Sequence, residues 1–300
     1  MTATGVSIRD ALKEGAARLA RSEVPDAQAD AGWLLEHVVK FPRMLLPINR
    51  EPMTVRQYAR YTRLLEKRAA RVPLQYLIGE VKFAGARIRV KPGVLIPRPE
   101  TELLVKRCAA FIENLPRQPK QINALDLCSG SGAIGIALKM KFPRLEVLCS
   151  DVSGEACEET VANGRLNGVR MACVQCDMME PFVITDRFKS HFDVIVCNPP
   201  YIPSAQIPSL QPEVLKEPII ALDGGPDGLD FYRRIAIDAP LLMKPHGALF
   251  LELGAGQADA VRGMMEPIFE SVYIESDWNG IPRVIGAINP RGKHNHNVWI

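Results

Sequence analysis

An asparagine, two prolines and a tyrosine follow one another in FDVIVCNPPYIP, residues 192–203, directly after an apolar run that reads as a buried strand. Proline has no N–H and fixes its backbone, so the carbonyls around Pro199 and Pro200 are rigidly aimed and free to accept hydrogen bonds. Asn198 adds a side-chain oxygen and Tyr201 an aromatic face. Together they suit a planar NH2 group, whose two hydrogens would bond to the Asn oxygen and a proline-region carbonyl while the flat group stacks on the ring. Such a nitrogen is a poor nucleophile because its lone pair is delocalised. Holding both hydrogens and presenting the nitrogen in line with a methyl sulfonium would act by orientation and local electrostatics, with no Ser or Cys nucleophile. The plainer reading of NPP alone is a proline-rich turn. Its coincidence with other polar strand ends speaks against that.

Those strand ends begin at ALDLCSGSGAIG, where Gly130, Gly132 and Gly135 spell G-x-G-x-x-G and Asp151 ends the next strand nineteen residues after Gly132. Glycines let a backbone approach a ligand, and the acid can take both hydroxyls of a ribose. The pattern fits a dinucleotide site, an S-adenosylmethionine site or a tight strand-to-helix turn. Asp126, just before the loop, tilts the choice, because a carboxylate there suits a cationic methionine-like end and would repel a pyrophosphate. There is no G-x-x-x-x-G-K-[ST] lysine for a nucleoside triphosphate. In QCDMMEPF, Asp177 could accept from an adenine amino group or cap the following turn.

The elements that must position these groups alternate from about residue 120 onward. INALDLC precedes AIGIALKMKF, LEVLCSDV precedes GEACEETVANGRLNG, MACVQCD and FDVIVCNPP follow, and FYRRIAIDAPLLM precedes GALFLELG. Short apolar runs separated by helical stretches predict a parallel sheet covered on both faces, with ligands at the carboxyl ends of its strands. Residues 1–72 read as helices only, in SIRDALKEGAARLA, DAQADAGWLLEHVVK and VRQYARYTRLLEKRAA, with Asp26 and Thr54 as N-caps. The third carries Arg56, Arg60, Arg63, Lys67, Arg68 and Arg71, a solvated face or a partner-binding one. His37 reads as a packed helix residue. Residues 73–105 form a bridge, with a hairpin around Gly85 and a helix starting near Glu100 after the stiff LIPRPE stretch.

Composition narrows the classes. With 300 residues, 47% hydrophobic and 24% charged, the chain is long enough for two domains with a sizeable core. A net charge of +3 gives no broad basic footprint for duplex DNA. The start MTATGVSIRDALKEG lacks an apolar h-region and no window has the apolar length of a membrane span, which predicts a cytoplasmic protein. The seven cysteines read as reduced thiols; Cys173 and Cys176 have the spacing of half a zinc site or a redox pair, but the second half is missing and they read as structural thiols. No metal is expected. His294 and His296 lie in a tail, residues 290–300, read as disordered.

On these motifs the chain resembles the class I S-adenosylmethionine methyltransferases that act on planar amino or amide nitrogens. PLQYLIGEVKF, LIPRPETELLV, NPPYIP followed by EPIIALDGGPDGLDFYRRI, and GIPRVIGA resemble the PrmC (HemK) family over residues 73–288. That resemblance implies an α/β, Rossmann-like methyltransferase domain at 106–289, preceded by a small all-α bundle at 1–72 and the linker at 73–105. It implies S-adenosylmethionine as cofactor and, as substrate, the glutamine amide of the Gly-Gly-Gln motif in class 1 peptide chain release factors. The loop Cys128, Ser129, Gly130, Ser131 and Gly132 would hold the methionine part, Asp151 the ribose, Asp177 and Met178 the adenine. Asn198, Pro199, Pro200 and Tyr201 would hold the glutamine, and the bundle would grip the release factor. Cys128 departs from the usual first glycine of the loop, and Met178 from an aromatic residue found in some relatives.

Rival readings differ in class. An adenine-amino DNA methyltransferase would use the same NPPY logic on a flipped base, but would need a groove-reading element that no spare region supplies. Methylation of glutamine in another translation protein keeps the same chemistry. An NAD oxidoreductase follows from G-x-G-x-x-G alone and leaves NPPY unexplained. A non-catalytic module would not need Asn198 and the glycines.

Overall fold

The computed structural model describes residues 3–115 and 121–291 of the chain, which divides into two compact units. The first is Met1–Glu80 with Gln211–Lys216, and the second holds the rest.

In the first unit, β1 (Ala3–Ser7) leads into α1 (Ile8–Arg21), followed by α2 (Ala27–Val39), β2 (Pro52–Thr54), α3 (Val55–Ala69) and α4 (Leu74–Ile78). The unit is therefore not all-α, because β1 and β2 pair antiparallel. Five and three residues without alternation leave no period to read, and their pairing joins segments far apart in sequence. Thr54 caps α3 in a full capping box with Gln57. Asp26 occupies the N-cap of α2 but its side chain makes no capping bond. Leu12, Leu19, Leu34, Leu35, Tyr61 and Leu65, at helical spacing, form the core.

The second unit starts at Val81, inside the hairpin of β3 (Glu80–Phe83) and β4 (Ala86–Arg89), which is turned by Ala84 and Gly85, both at positive φ as a type I′ turn requires. After α5 (Glu102–Glu113) come β5 (Ile122–Leu127), α6 (Ala133–Lys141), β6 (Leu145–Asp151), α7 (Gly154–Leu166), β7 (Ala172–Gln175), α8 (Glu180–Val183) and β8 (Phe192–Cys197). The chain continues through α9 (Asp230–Leu242), β9 (Met243–Glu252), α10 (Ala258–Met265), β10 (Phe269–Ser276) and β11 (Pro282–Pro290).

Seven strands form one sheet in the order β10-β11-β9-β8-β5-β6-β7. The stretch from β9 to β7 is parallel, as the alternating pattern predicts, but β11 runs antiparallel to both its neighbours. That reversal has a local cause, since only a short turn separates β10 from β11 and a parallel pair would need a long crossover.

Period-2 geometry sends alternate side chains to opposite faces. Leu125, Leu127, Ile195, Cys197, Leu249 and Leu251 pack with Tyr232 and Val261 of α9 and α10. On the other face, Phe250 meets Phe111 of α5 with ring centroids 5.9 Å apart. Every residue of β8 is buried, so the strand reads as a continuous apolar run broken by one acid. The strand order reverses at β5, which lies between β6 and β8. The crevice outside the carboxyl ends at that point is the expected ligand position.

Candidate active site

At or just after the end of each strand from β5 to β8 stands a polar residue, and these meet in one cavity of about 320 Å³. That volume lies at the small end of the roughly 300–1,000 Å³ typical of small-molecule sites. Its lining includes Cys128 to Ser131 after β5, Asp151 at the end of β6, Asp177 and Met178 after β7, and Asn198 and Pro200 after β8. Asp126, Gly132, Pro199 and Tyr201 stand outside the lining.

Asp126 departs most from its expected place. It is fully buried, with Oδ2 accepting the Gly135 N–H at 2.9 Å and Oδ1 left without a partner. Burial pushes its carboxyl up to about 7, against the Gly135 bond and with some help from the Asp151 charge. The acid faces the strand-to-helix junction, where a Cβ on Gly135 would come within 2.9 Å of Oδ2.

The loop itself is built on positive φ values at Cys128, Gly130 and Gly132. A Cβ on Gly130 would meet nothing within 4 Å, so this glycine leaves the backbone bare toward the cavity. Gly132 is needed for packing, since a Cβ there would lie 2.8 Å from Thr160 Cγ2. The two departures from the resemblance prove to be neighbours. Cys128 Sγ lies 3.6 Å from Met178 Sδ, and both residues hold left-handed backbone, at φ 53° each.

Asp151 is fixed by the loop it faces. Gly130 N–H donates to Oδ2 at 2.8 Å and Ser153 N–H to Oδ1 at 2.9 Å. Burial raises its pKa, opposed by these backbone bonds. Each carboxylate oxygen keeps lone-pair capacity for a hydroxyl. Asp177 is half exposed and accepts from Arg234 at 2.8 Å, a partner the sequence reading did not include.

At the end of β8, Asn198 Nδ2 donates to Thr101 Oγ1 at 3.3 Å, which turns its Oδ1 away as a free acceptor. The Tyr201 hydroxyl donates to Glu252 Oε1 at 3.3 Å, and its backbone oxygen accepts from Gln257 Nε2 at 2.9 Å. Three glycines clear the space around Tyr201. A Cβ would fall 2.8 Å from its Cα at Gly224, 2.3 Å from its oxygen at Gly228 and 3.0 Å from its ring at Gly254. This gives a steric reason for the glycines of ALDGGPDG and LELG.

Thr101 and Glu252 were missed. Glu252 ends β9 in GALFLELG, and an acid closing an apolar strand was the available signal. Cys173 lies with its thiol 2.9 Å from that of Cys157, not beside Cys176, which falls just after β7.

In the first unit the basic helix is partly spoken for. Arg68 is buried on Asp30 (2.6 Å) and Glu213 (2.7 Å), and Arg71 binds the same Glu213. Burial opposes ionisation of Glu213, yet the bonds from Arg71 and Arg68 hold it down at about 2. Arg60 Nη2 meets half-buried His37 at 2.9 Å, while Arg56, Arg63 and Lys67 are exposed. His294 and His296 lie outside the described residues.

Comparison with known proteins matches the PrmC N-terminal domain over residues 10–79 and the methyltransferase small domain over 105–222. The release factor glutamine methyltransferase of Geobacter sulfurreducens is 39% identical over 284 residues, covering 94% of this chain and 96% of that protein. Its counterpart from Deinococcus radiodurans is 35% identical, covering 94% and 98%. Among solved structures, the hMettl16 catalytic domain bound to an RNA hairpin superposes with a TM-score of 0.52 at 15% identity, covering 80% of this chain and 84% of that one. The Thermus thermophilus 16S rRNA N2 methyltransferase RsmC, solved with AdoMet and guanosine, gives 0.50 at 17% identity, covering 70% and 49%. These structures share the α/β methyltransferase fold of the second unit. With identity at this level across nearly the whole length of both chains, this protein belongs to the release factor glutamine methyltransferase family.

Proposed function

We propose that this chain methylates, from S-adenosylmethionine, the side-chain amide nitrogen of the glutamine in the Gly-Gly-Gln motif of class 1 peptide chain release factors. The observation that carries the reading is the orientation of Asn198. Its NH2 is engaged by Thr101, so its oxygen is presented as an acceptor at the end of β8, beside a cavity floored by the glycine loop.

The residues present fit the cofactor. Gly130 leaves bare backbone, Asp151 offers a fixed carboxylate for ribose hydroxyls, and Ser129 and Ser131 add hydroxyls on the methionine side. Met178 lines the adenine end, with Asp177 at its edge. When bound, S-adenosylmethionine supplies a methyl group on a sulfonium centre. Asn198 Oδ1 and a carbonyl of Pro199 or Pro200 accept the two amide hydrogens, and the Tyr201 ring covers the amide plane. Held so, the nitrogen would take the methyl as its bond to sulfur breaks and a neutral thioether is left, and would release one hydrogen as a proton to water. Asp126 acts at one remove, holding the Gly135 N–H and thereby the loop.

The partner is a protein of translation, and the reaction belongs in the cytoplasm, where release factors work. No helix among the described residues is long and apolar enough to cross a membrane. No direct DNA binding is expected, and the first unit, with Arg56, Arg63 and Lys67 exposed, is the surface for the release factor. Asn198→Ala should retain cofactor affinity by calorimetry and lose about 10²- to 10⁴-fold in glutamine methylation read by mass spectrometry. Wild-type turnover in that variant would take Asn198 out of the mechanism.

A further inference from the structure

Glu252 is a carboxylic acid that none of the assigned roles uses, set among residues that they do use. It is 2% exposed at the end of β9. One oxygen accepts the Tyr201 hydroxyl, and the other, Oε2, is buried without a hydrogen-bond partner. Thr101, itself 3% exposed, accepts from Asn198 Nδ2, which leaves its own hydroxyl hydrogen free for another acceptor. The Tyr201 hydroxyl, donating at 3.3 Å, favours the ionised carboxyl of Glu252. The acid is therefore joined directly to Tyr201, one of the side chains that hold the amide.

We propose that Glu252 is a positioning residue for methyl transfer, fixing Tyr201 through its hydroxyl. The inference rests on the reading of Asn198 and Tyr201 as the amide-holding pair. Tyr201 is pinned by the same acid.

The groups facing Glu252 come from every element packed on it. They are Tyr201 after β8, Thr101 and Glu100 before α5, Tyr232 of α9, whose hydroxyl donates to the Glu252 backbone oxygen at 2.8 Å, and Arg283 of β11, which is itself held by Asp277 at 3.1 Å. Burial pushes the Glu252 carboxyl up to about 7, with the hydroxyls and Arg283 opposing it and Glu100 adding to it. Its ionised form is the stronger acceptor for the Tyr201 hydroxyl, so positioning strengthens as pH rises through that value.

The test compares wild type, Glu252→Gln and Glu252→Ala on a class 1 release factor. Methylation is followed by mass spectrometry from pH 6 to pH 8.5 and cofactor affinity by calorimetry. Asp126 titrates in all three proteins, so the wild-type to Gln ratio of kcat isolates Glu252. That ratio should rise about tenfold through neutral pH, and the Ala variant should lose about 30- to 100-fold in kcat with little change in KM or cofactor affinity. A ratio flat in pH overturns the inference even if the Ala variant fails to fold. So does an Ala variant with unchanged kcat, or one that loses cofactor affinity in step with kcat, the mark of a purely structural acid. A wild type that leaves the glutamine unmethylated removes the functional reading and this inference with it, whereas an active wild type with a flat ratio removes only the inference.

Discussion

At the scale of the residue, the site is made of side chains whose hydrogen bonds leave one atom over. Asn198 keeps an oxygen, Asp151 keeps lone pairs, and Asp126 keeps an orphaned Oδ1. Asp151→Ala removes a fixed acceptor and should weaken S-adenosylmethionine binding by about 1.5–3 kcal/mol, roughly 10- to 100-fold, in calorimetry. Unchanged affinity would refute the ribose assignment. Asp126 makes a different prediction. Its folded-state value of about 7 lies above its ordinary 3.8, so the folded chain holds that proton more tightly than the unfolded one. The stability it contributes is fully present below the ordinary value and is lost as pH rises through about 7. Asp126→Asn can still accept from Gly135 and carries no charge to bury. In urea denaturation its advantage over the wild type should grow by about 1–3 kcal/mol between pH 5 and pH 8.

At the scale of the element, strand ends place the chemistry and glycines allow it to close. The loop after β8 passes so near Gly224, Gly228 and Gly254 that any side chain there would collide with Tyr201. Gly228 is the sharpest case, with φ 76° and a Cβ position 2.3 Å from the Tyr201 oxygen. Gly228→Ala should displace the NPPY loop and lower methyl transfer by about 10²-fold while sparing cofactor affinity. Equal effects on both would show a general loss of fold. Much of this scale was legible. Parallel strands, the helix after Gly132 and the polar strand ends all follow from short apolar runs and glycine spacing. The strands β1 and β2 were not, since PMT has no period to read. Nor was the reversed β11, because GIPRVIGA shows an apolar run but not its direction. Thr101 and Glu252 depend on contacts across about 100 and 50 residues of sequence, which no local pattern encodes.

At the scale of the whole molecule, one unit carries the cavity and the other carries charge. The first unit spends Arg68 and Arg71 on its own interior, where Asp30 and Glu213 compensate them. Sequence alone grouped them with Arg56, Arg63 and Lys67, because charge pattern does not distinguish a buried guanidinium from an exposed one. Reversal of the exposed three to Glu should raise KM for the release factor by about tenfold, more at low salt, and leave cofactor affinity unchanged. A KM that does not move would assign those charges to solvation alone.

The most direct measurement incubates the protein with S-adenosylmethionine and, in parallel, a class 1 release factor, its Gln→Ala variant at Gly-Gly-Gln, and adenine-containing duplex DNA, with products read by mass spectrometry. The account predicts one added methyl on that glutamine and none on the variant or the DNA. Methylated DNA beside an untouched release factor would contradict it.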